Sequence, residues 1–208
     1  MEIRASHSSP LLIASSLSDP INLYSRSEVL SNANLVPKER GLYAWFFKRT
    51  PALVPTEGLS NSHGATLLYV GISPKNEISK QNLQKRLRNH FAGNAEGSTL
   101  RLTLGVLLTS QSNFPLRRVR SGKTMTFTHA GEQWLDDWME ENAYVCWVTH
   151  REPWTVEKEV IQSLSLPLNI QHNGFHSFPQ RLSDLRTKAK RQARDLPIAN
   201  EDNQRRTL

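Results

Sequence analysis

Two apolar runs, Gly41-Leu42-Tyr43-Ala44-Trp45-Phe46-Phe47 and Leu67-Leu68-Tyr69-Val70-Gly71, constrain this chain more than any other feature. The first is aromatic-rich and reads as a strand. The second reads as another strand, closed by a glycine of the kind that marks a bend or a close backbone approach. Between them, residues 48–66 hold prolines, glycines and small polar residues, which predicts a loop. Each run thus brings one tyrosine to the start or end of a strand.

The remaining punctuation is helical until residue 109. From Lys80 to Phe91, Leu83, Leu87, His90 and Phe91 form one apolar stripe, with Lys85, Arg86 and Arg88 on other faces. A second, heavily buried helix is expected over roughly 99–109. Residues 117–128 read as a basic hairpin turning at Ser121-Gly122. Glu132 to Asn142 is amphipathic, with Trp134, Leu135, Trp138 and Met139 on one side and the acids elsewhere. Tyr144 to Val148 is the third strand. Pro153 then opens a helix whose buried face is Val156, Val160, Ile161 and Leu164. The expected fold is therefore mixed α/β (α+β): a small, mainly antiparallel three-stranded sheet flanked by helices. A basic hairpin and a helix are inserted before its last strand.

Residues 1–35 lack clear periodicity and read as an extension with room for a short helix. The domain proper is expected over 36–178, and a basic helix or tail over 179–208. The net charge of +7 favours a polyanionic partner, of which nucleic acid is the commonest. The single cysteine, Cys146, lies inside an apolar run, so cysteine-based zinc sites are excluded by count. No apolar run approaches a membrane span, and no membrane association is expected. Glu2 and the sparse arginines near it argue against a transit peptide, which leaves a cytoplasmic location as the expectation.

In order along the chain come Gly-Leu-Tyr, Tyr-Val-Gly, Leu83-Gln84-Lys85-Arg86-Leu87 and a late Glu157-x₃-Ile161…Pro167-x-Asn169. This constellation resembles the GIY-YIG nuclease family over roughly residues 38–174. The resemblance implies catalytic roles for Tyr43, Tyr69, Arg86, His90, Glu157 and Asn169, with Glu157 as the metal ligand. It implies Mg²⁺ or Mn²⁺ as cofactor and hydrolysis of phosphodiester bonds, with DNA as the expected nucleic acid. Tyr43 is the family's water-activating base by analogy, with Tyr69 and His90 positioning groups or relaying the proton; the residues alone leave that division open. The long loop between the two signatures and the insertion before the third strand resemble the family's larger branches.

The chemistry agrees with the residue types. A lone carboxylate leaves most positions of a hard cation to water and phosphate oxygens. Arginine offers a planar, permanently charged fork for the scissile phosphate. A phenol, with a free pKa of about 10, needs nearby cationic charge to serve as a base. Glu159 rivals Glu157 but projects to another side of the helix. For phosphate tracking, Lys85, Arg88, Arg101, Arg117, Arg118, Arg120 and Lys123 are the candidates. His172 and His176 are four apart, yet Gly174 between them argues against a helical metal pair. Two other readings stand beside a DNA endonuclease: a non-catalytic nucleic-acid-binding module of the same fold, and a restriction-like enzyme.

Overall fold

The computed structural model describes residues 9–201. Its centre is an antiparallel sheet in the order β2 (Asn61–Ser62), β3 (Ala65–Ser73), β1 (Gly41–Phe47), β6 (Ala143–Thr149). The three long strands are those expected from the apolar runs. The fourth is a difference: inside the expected loop, Asn61 and Ser62 turn back on Ala65 and Thr66, with His63 and Gly64 both at positive φ. A two-residue edge strand has too few residues for any period to show in the sequence.

All seven residues of β1 are buried because both faces of the sheet are covered. Tyr43, Trp45 and Phe47 face one core, and Leu42, Ala44 and Phe46 face the other. The first core lies under α3 (Leu83–Ala92), α4 (Thr99–Leu107), α6 (Thr128–Asn142) and α8 (Phe178–Asp195). The second lies under α1 (Pro10–Ser18) and α7 (Pro153–Gln162). Between α4 and α6 come the short α5 (Thr109–Ser112) and the expected hairpin, β4 (Arg117–Val119) with β5 (Thr124–Thr126).

The N-terminal extension holds more structure than its sequence suggested. Ser9 caps α1, Pro10 occupies its first turn, and Ile13, Ala14 and Leu17 are buried against the sheet. α2 (Arg26–Ser31) follows, closed by a capping box between Ser25 and Glu28. Helices this short give only one or two apolar repeats, which is why no periodicity stands out.

α6 corrects the expected orientation of the acids. Glu132 and Asp136 are buried beside Leu135 and Met139, whereas Trp134 and Trp138 are only partly covered. Both carboxylates receive Arg101, a fully buried side chain. Its Nε donates to Glu132 Oε2 at 2.9 Å and its Nη1 to Asp136 Oδ1 at 2.8 Å. Arg101 therefore is not a nucleic-acid contact, contrary to expectation. It ties α4 to α6 and donates further to the Phe91 carbonyl at the end of α3. Removing one partner of a buried ion pair strands the other charge, at about 3–5 kcal/mol. Arg101→Met is expected to lower unfolding stability by that amount in urea titration, with oligonucleotide affinity of the folded fraction unchanged.

Candidate active site

The sheet register brings the two tyrosines together. Tyr43 pairs with Gly71 and Tyr69 with Trp45, so the phenols are diagonal neighbours on one face, with ring centroids 6.4 Å apart. Gly71 is what allows this. A Cβ there would stand 2.6 Å from Tyr43 Oη, so only glycine lets the phenol lie across β3. Gly41 plays the matching part for the helix above. A Cβ on it would meet Val148 O at 2.2 Å and Leu83 Cδ1 at 2.8 Å. α3 consequently starts hard against the head of β1, and one turn later its polar side chains reach Tyr43.

Arg86 Nε donates to Tyr43 Oη at 3.2 Å. His90 Nε2 meets the same oxygen at 2.9 Å, and its Nδ1 meets Ser98 Oγ at 2.7 Å. Ser98 also caps α4 by accepting the Arg101 N–H. Four groups thus make one hydrogen-bonded chain, Arg86–Tyr43–His90–Ser98, half-buried at Arg86 and buried beyond it. Tyr69 adjoins it, its ring tilted 46° against that of Tyr43.

Burial holds His90 well below its ordinary pKa, and the Arg86 and Arg101 guanidinium groups add to the effect. Both phenols are pushed up, first by burial. Arg86 opposes the rise at each, and Glu157 reinforces it. Arg86 itself is raised: burial works against its charge, and the neighbouring phenols outweigh that. For His90 the folded value lies below the unfolded one of about 6.5, so the folded state resists a proton that the unfolded chain accepts. Stability is intact above that pH and falls as pH drops below it, by up to about 1.4 kcal/mol per pH unit. His90→Gln is expected to flatten this part of the urea-midpoint profile between about pH 7 and 5 relative to the parent.

Beside the phenols opens a cavity of about 410 Å³. Tyr69, Glu157 and Asn169 line it, as do Lys75, Thr99, Thr103, Arg186 and Lys190. Glu157 is half-buried on α7, with no hydrogen bond or ion pair among the described residues. Burial raises its pKa, partly opposed by His172 and Lys75. Glu159, two residues on, is exposed to solvent. A desolvated carboxylate without a direct partner is a fitting ligand for a hard cation. Among the described residues no cluster of three or more His, Cys, Asp or Glu could hold a metal. Any ion here would therefore take most of its oxygens from water and substrate, an arrangement suited to Mg²⁺.

Asn169 departs from its expected catalytic role. Its Oδ1 accepts from Val70 N–H at 2.9 Å and its Nδ2 donates to Val70 O at 2.8 Å. Both ends of the amide are thereby engaged by β3, and Asn169 is a positioning residue for the strand that carries Tyr69. His176 Nδ1 accepts the Phe178 N–H, and His172 is an exposed neighbour of Glu157.

The basic candidates divide. Lys85, Arg120 and Lys123 are exposed. Arg88 donates to the Val29 and Leu30 carbonyls of α2. Arg118 donates to the Ala193 and Leu196 carbonyls, and Arg117 to that of Pro197. These three arginines act first as internal clamps, a correction to their expected phosphate-tracking role. Arg186 and Lys190 of α8, within the segment expected as a basic helix or tail, line the cavity instead.

Residues 41–188 match the family model described as the GIY-YIG catalytic domain, and the chain belongs to that family. No curated protein matches it, and no solved structure does. The match begins at the first residue of β1 and ends inside α8, so it takes in both tyrosine strands, the arginine helix, Glu157 and the cavity lining as far as Thr187. A nuclease-type domain acting on nucleic acid is what this membership supports. No helix among the described residues is long and apolar enough to cross a membrane.

Proposed function

We propose that this protein is a metal-dependent endonuclease that hydrolyses phosphodiester bonds in DNA at the Tyr69–Glu157 cavity. The observation that carries this reading is the half-buried Glu157 carboxylate sharing one cavity with Tyr69, whose ring neighbours Tyr43 of the Arg86–Tyr43–His90 chain. A divalent cation held by Glu157 would supply Lewis acidity and offset charge on the phosphate.

The protein's own groups do the rest. Tyr69 stands at the cavity wall, where it is the phenol within reach of a nucleophilic water. Its ring adjoins that of Tyr43, whose oxygen accepts from Arg86. In the tautomer of neutral His90 that carries its proton on Nε2, the ring donates to the same oxygen and accepts from Ser98 at Nδ1. In that tautomer Arg86 and His90 both donate to Tyr43 and favour its phenolate form, against the burial that pushes its pKa up. A proton leaving the water passes to Tyr69 as Tyr69 passes its own to Tyr43. Arg86 stabilises the phenolate before the transfer and orients the ring after it.

The test is a cleavage panel of single-stranded, duplex and branched DNA and of RNA, each with Mg²⁺ and with Mn²⁺. Internal scission of at least one DNA form, abolished by chelator, is the expected result. Binding without scission of any substrate with either metal contradicts the proposal.

A further inference from the structure

One wall of the cavity is made by α8. Ser183, Arg186, Thr187 and Lys190 fall at i, i+3, i+4 and i+7 and share one face of that helix, and all four line the cavity. Phe178 and Leu182 lie in the core beneath the same helix and hold that face against it, and Ala193 is buried one turn from its end. Arg186 is half-buried, and burial lowers its pKa, with the Tyr69 phenol partly opposing that. Neither Arg186 nor Lys190 has a hydrogen bond or ion pair among the described residues. The one carboxylate of the lining, Glu157, belongs to α7. Desolvating a cation without a partner is costly, and a bidentate phosphate removes that cost at a guanidinium.

α8 is also held in place by the inserted hairpin. Arg118 donates to the Ala193 and Leu196 carbonyls at the helix's end, and the Ala199 N–H donates back to the Arg118 carbonyl at 2.8 Å. The arginines expected to touch substrate instead fix the helix that presents two other cations to the cavity. A volume of about 410 Å³ is in the range of small-ligand sites, about 300–1,000 Å³, so it admits a sugar–phosphate unit between the two walls.

We propose that Arg186 and Lys190 form a second phosphate subsite, which holds a backbone phosphate flanking the one presented to Glu157. This rests on the reading of the cavity as a nucleic-acid site. It makes the recognised substrate a strand that continues past the scissile bond on the α8 side.

The test uses Arg186→Gln with Lys190→Gln, made both in the parent and in a Glu157→Gln background. With a short labelled DNA oligonucleotide and the Glu157→Gln background, affinity is expected to fall about 10- to 100-fold. The slope of log affinity against log salt is expected to shrink by about 1–2. In the parent background KM rises by a similar factor while kcat stays within about threefold. A single neutral methylphosphonate scanned along the strand should weaken the parent at one flanking position and leave the double variant indifferent there. Arg181→Gln with Lys188→Gln removes the same charge from exposed positions of α8 and serves as the control. Equal losses from both double variants, or unchanged affinity and slope at Arg186 and Lys190, overturn the subsite. If the parent cuts nothing but the slope change and the methylphosphonate position persist, the subsite stands and the nuclease reading falls.

Discussion

Glu157→Gln is expected to cut the rate of Mg²⁺-dependent scission by about 10³-fold or more while leaving oligonucleotide affinity in chelator unchanged. The magnitude follows from the cation's part in offsetting phosphate charge, worth several kcal/mol, at about 1.4 kcal/mol per tenfold in rate. The substitution keeps the shape of the side chain and removes only its capacity to hold a cation by charge. It should not destabilise the fold. Burial raises the Glu157 pKa, so the ionised carboxylate is already disfavoured where it stands, and a neutral amide relieves that cost. An unfolding midpoint equal to or slightly above the parent's, together with lost scission, separates a chemical role from a structural one. Loss of binding in parallel with loss of scission would show instead that Glu157 shapes the cavity.

Tyr43→Phe should be the second large effect, a fall of about 10²- to 10⁴-fold in kcat with KM little changed, the usual range for removing a general base. The phenol is almost wholly buried and does not line the cavity, so it contributes nothing to substrate affinity directly. What it supplies is the oxygen on which Arg86 and His90 converge. Deleting that oxygen leaves buried His90 and half-buried Arg86 short of a partner, at about 1–3 kcal/mol of stability. Kinetics should therefore be compared at a temperature where urea titration shows both proteins fully folded. A variant that keeps near-parental kcat would remove Tyr43 from the proton path and leave Tyr69 as its only phenol.

Much of this arrangement is visible in the amino-acid order because the local rules and the site coincide. Gly71 is needed beside Tyr43 for a steric reason, and the Leu83–Leu87 stripe buries α3 in the one orientation that sends Arg86 and His90 to that phenol. Pro153 opens α7 and its apolar face fixes which glutamate turns inward. Long-range pairing is where the sequence falls silent. Arg101 finds carboxylates 31 and 35 residues away, and no local pattern marks Glu132 and Asp136 as interior when tryptophans sit on the neighbouring face. Arg117 and Arg118 likewise meet backbone carbonyls more than seventy positions on. A carbonyl carries no side-chain signature, so such clamps cannot be read from residue types. The cavity-facing stripe of α8 was readable in principle, since Ser183, Arg186, Thr187 and Lys190 keep helical spacing on a face apart from Leu182 and Ala193. The surrounding excess of charge made it look like an ordinary solvated face.

The most direct measurement replaces Mg²⁺ by Fe²⁺ and maps where hydroxyl radicals generated at the bound ion cut the protein's own backbone. Scission clustered around Tyr69, Glu157 and Asn169, and absent from Glu157→Gln, is the expected result. Cuts clustered elsewhere would place the cation away from the phenols and contradict the assignment of this cavity as the catalytic centre.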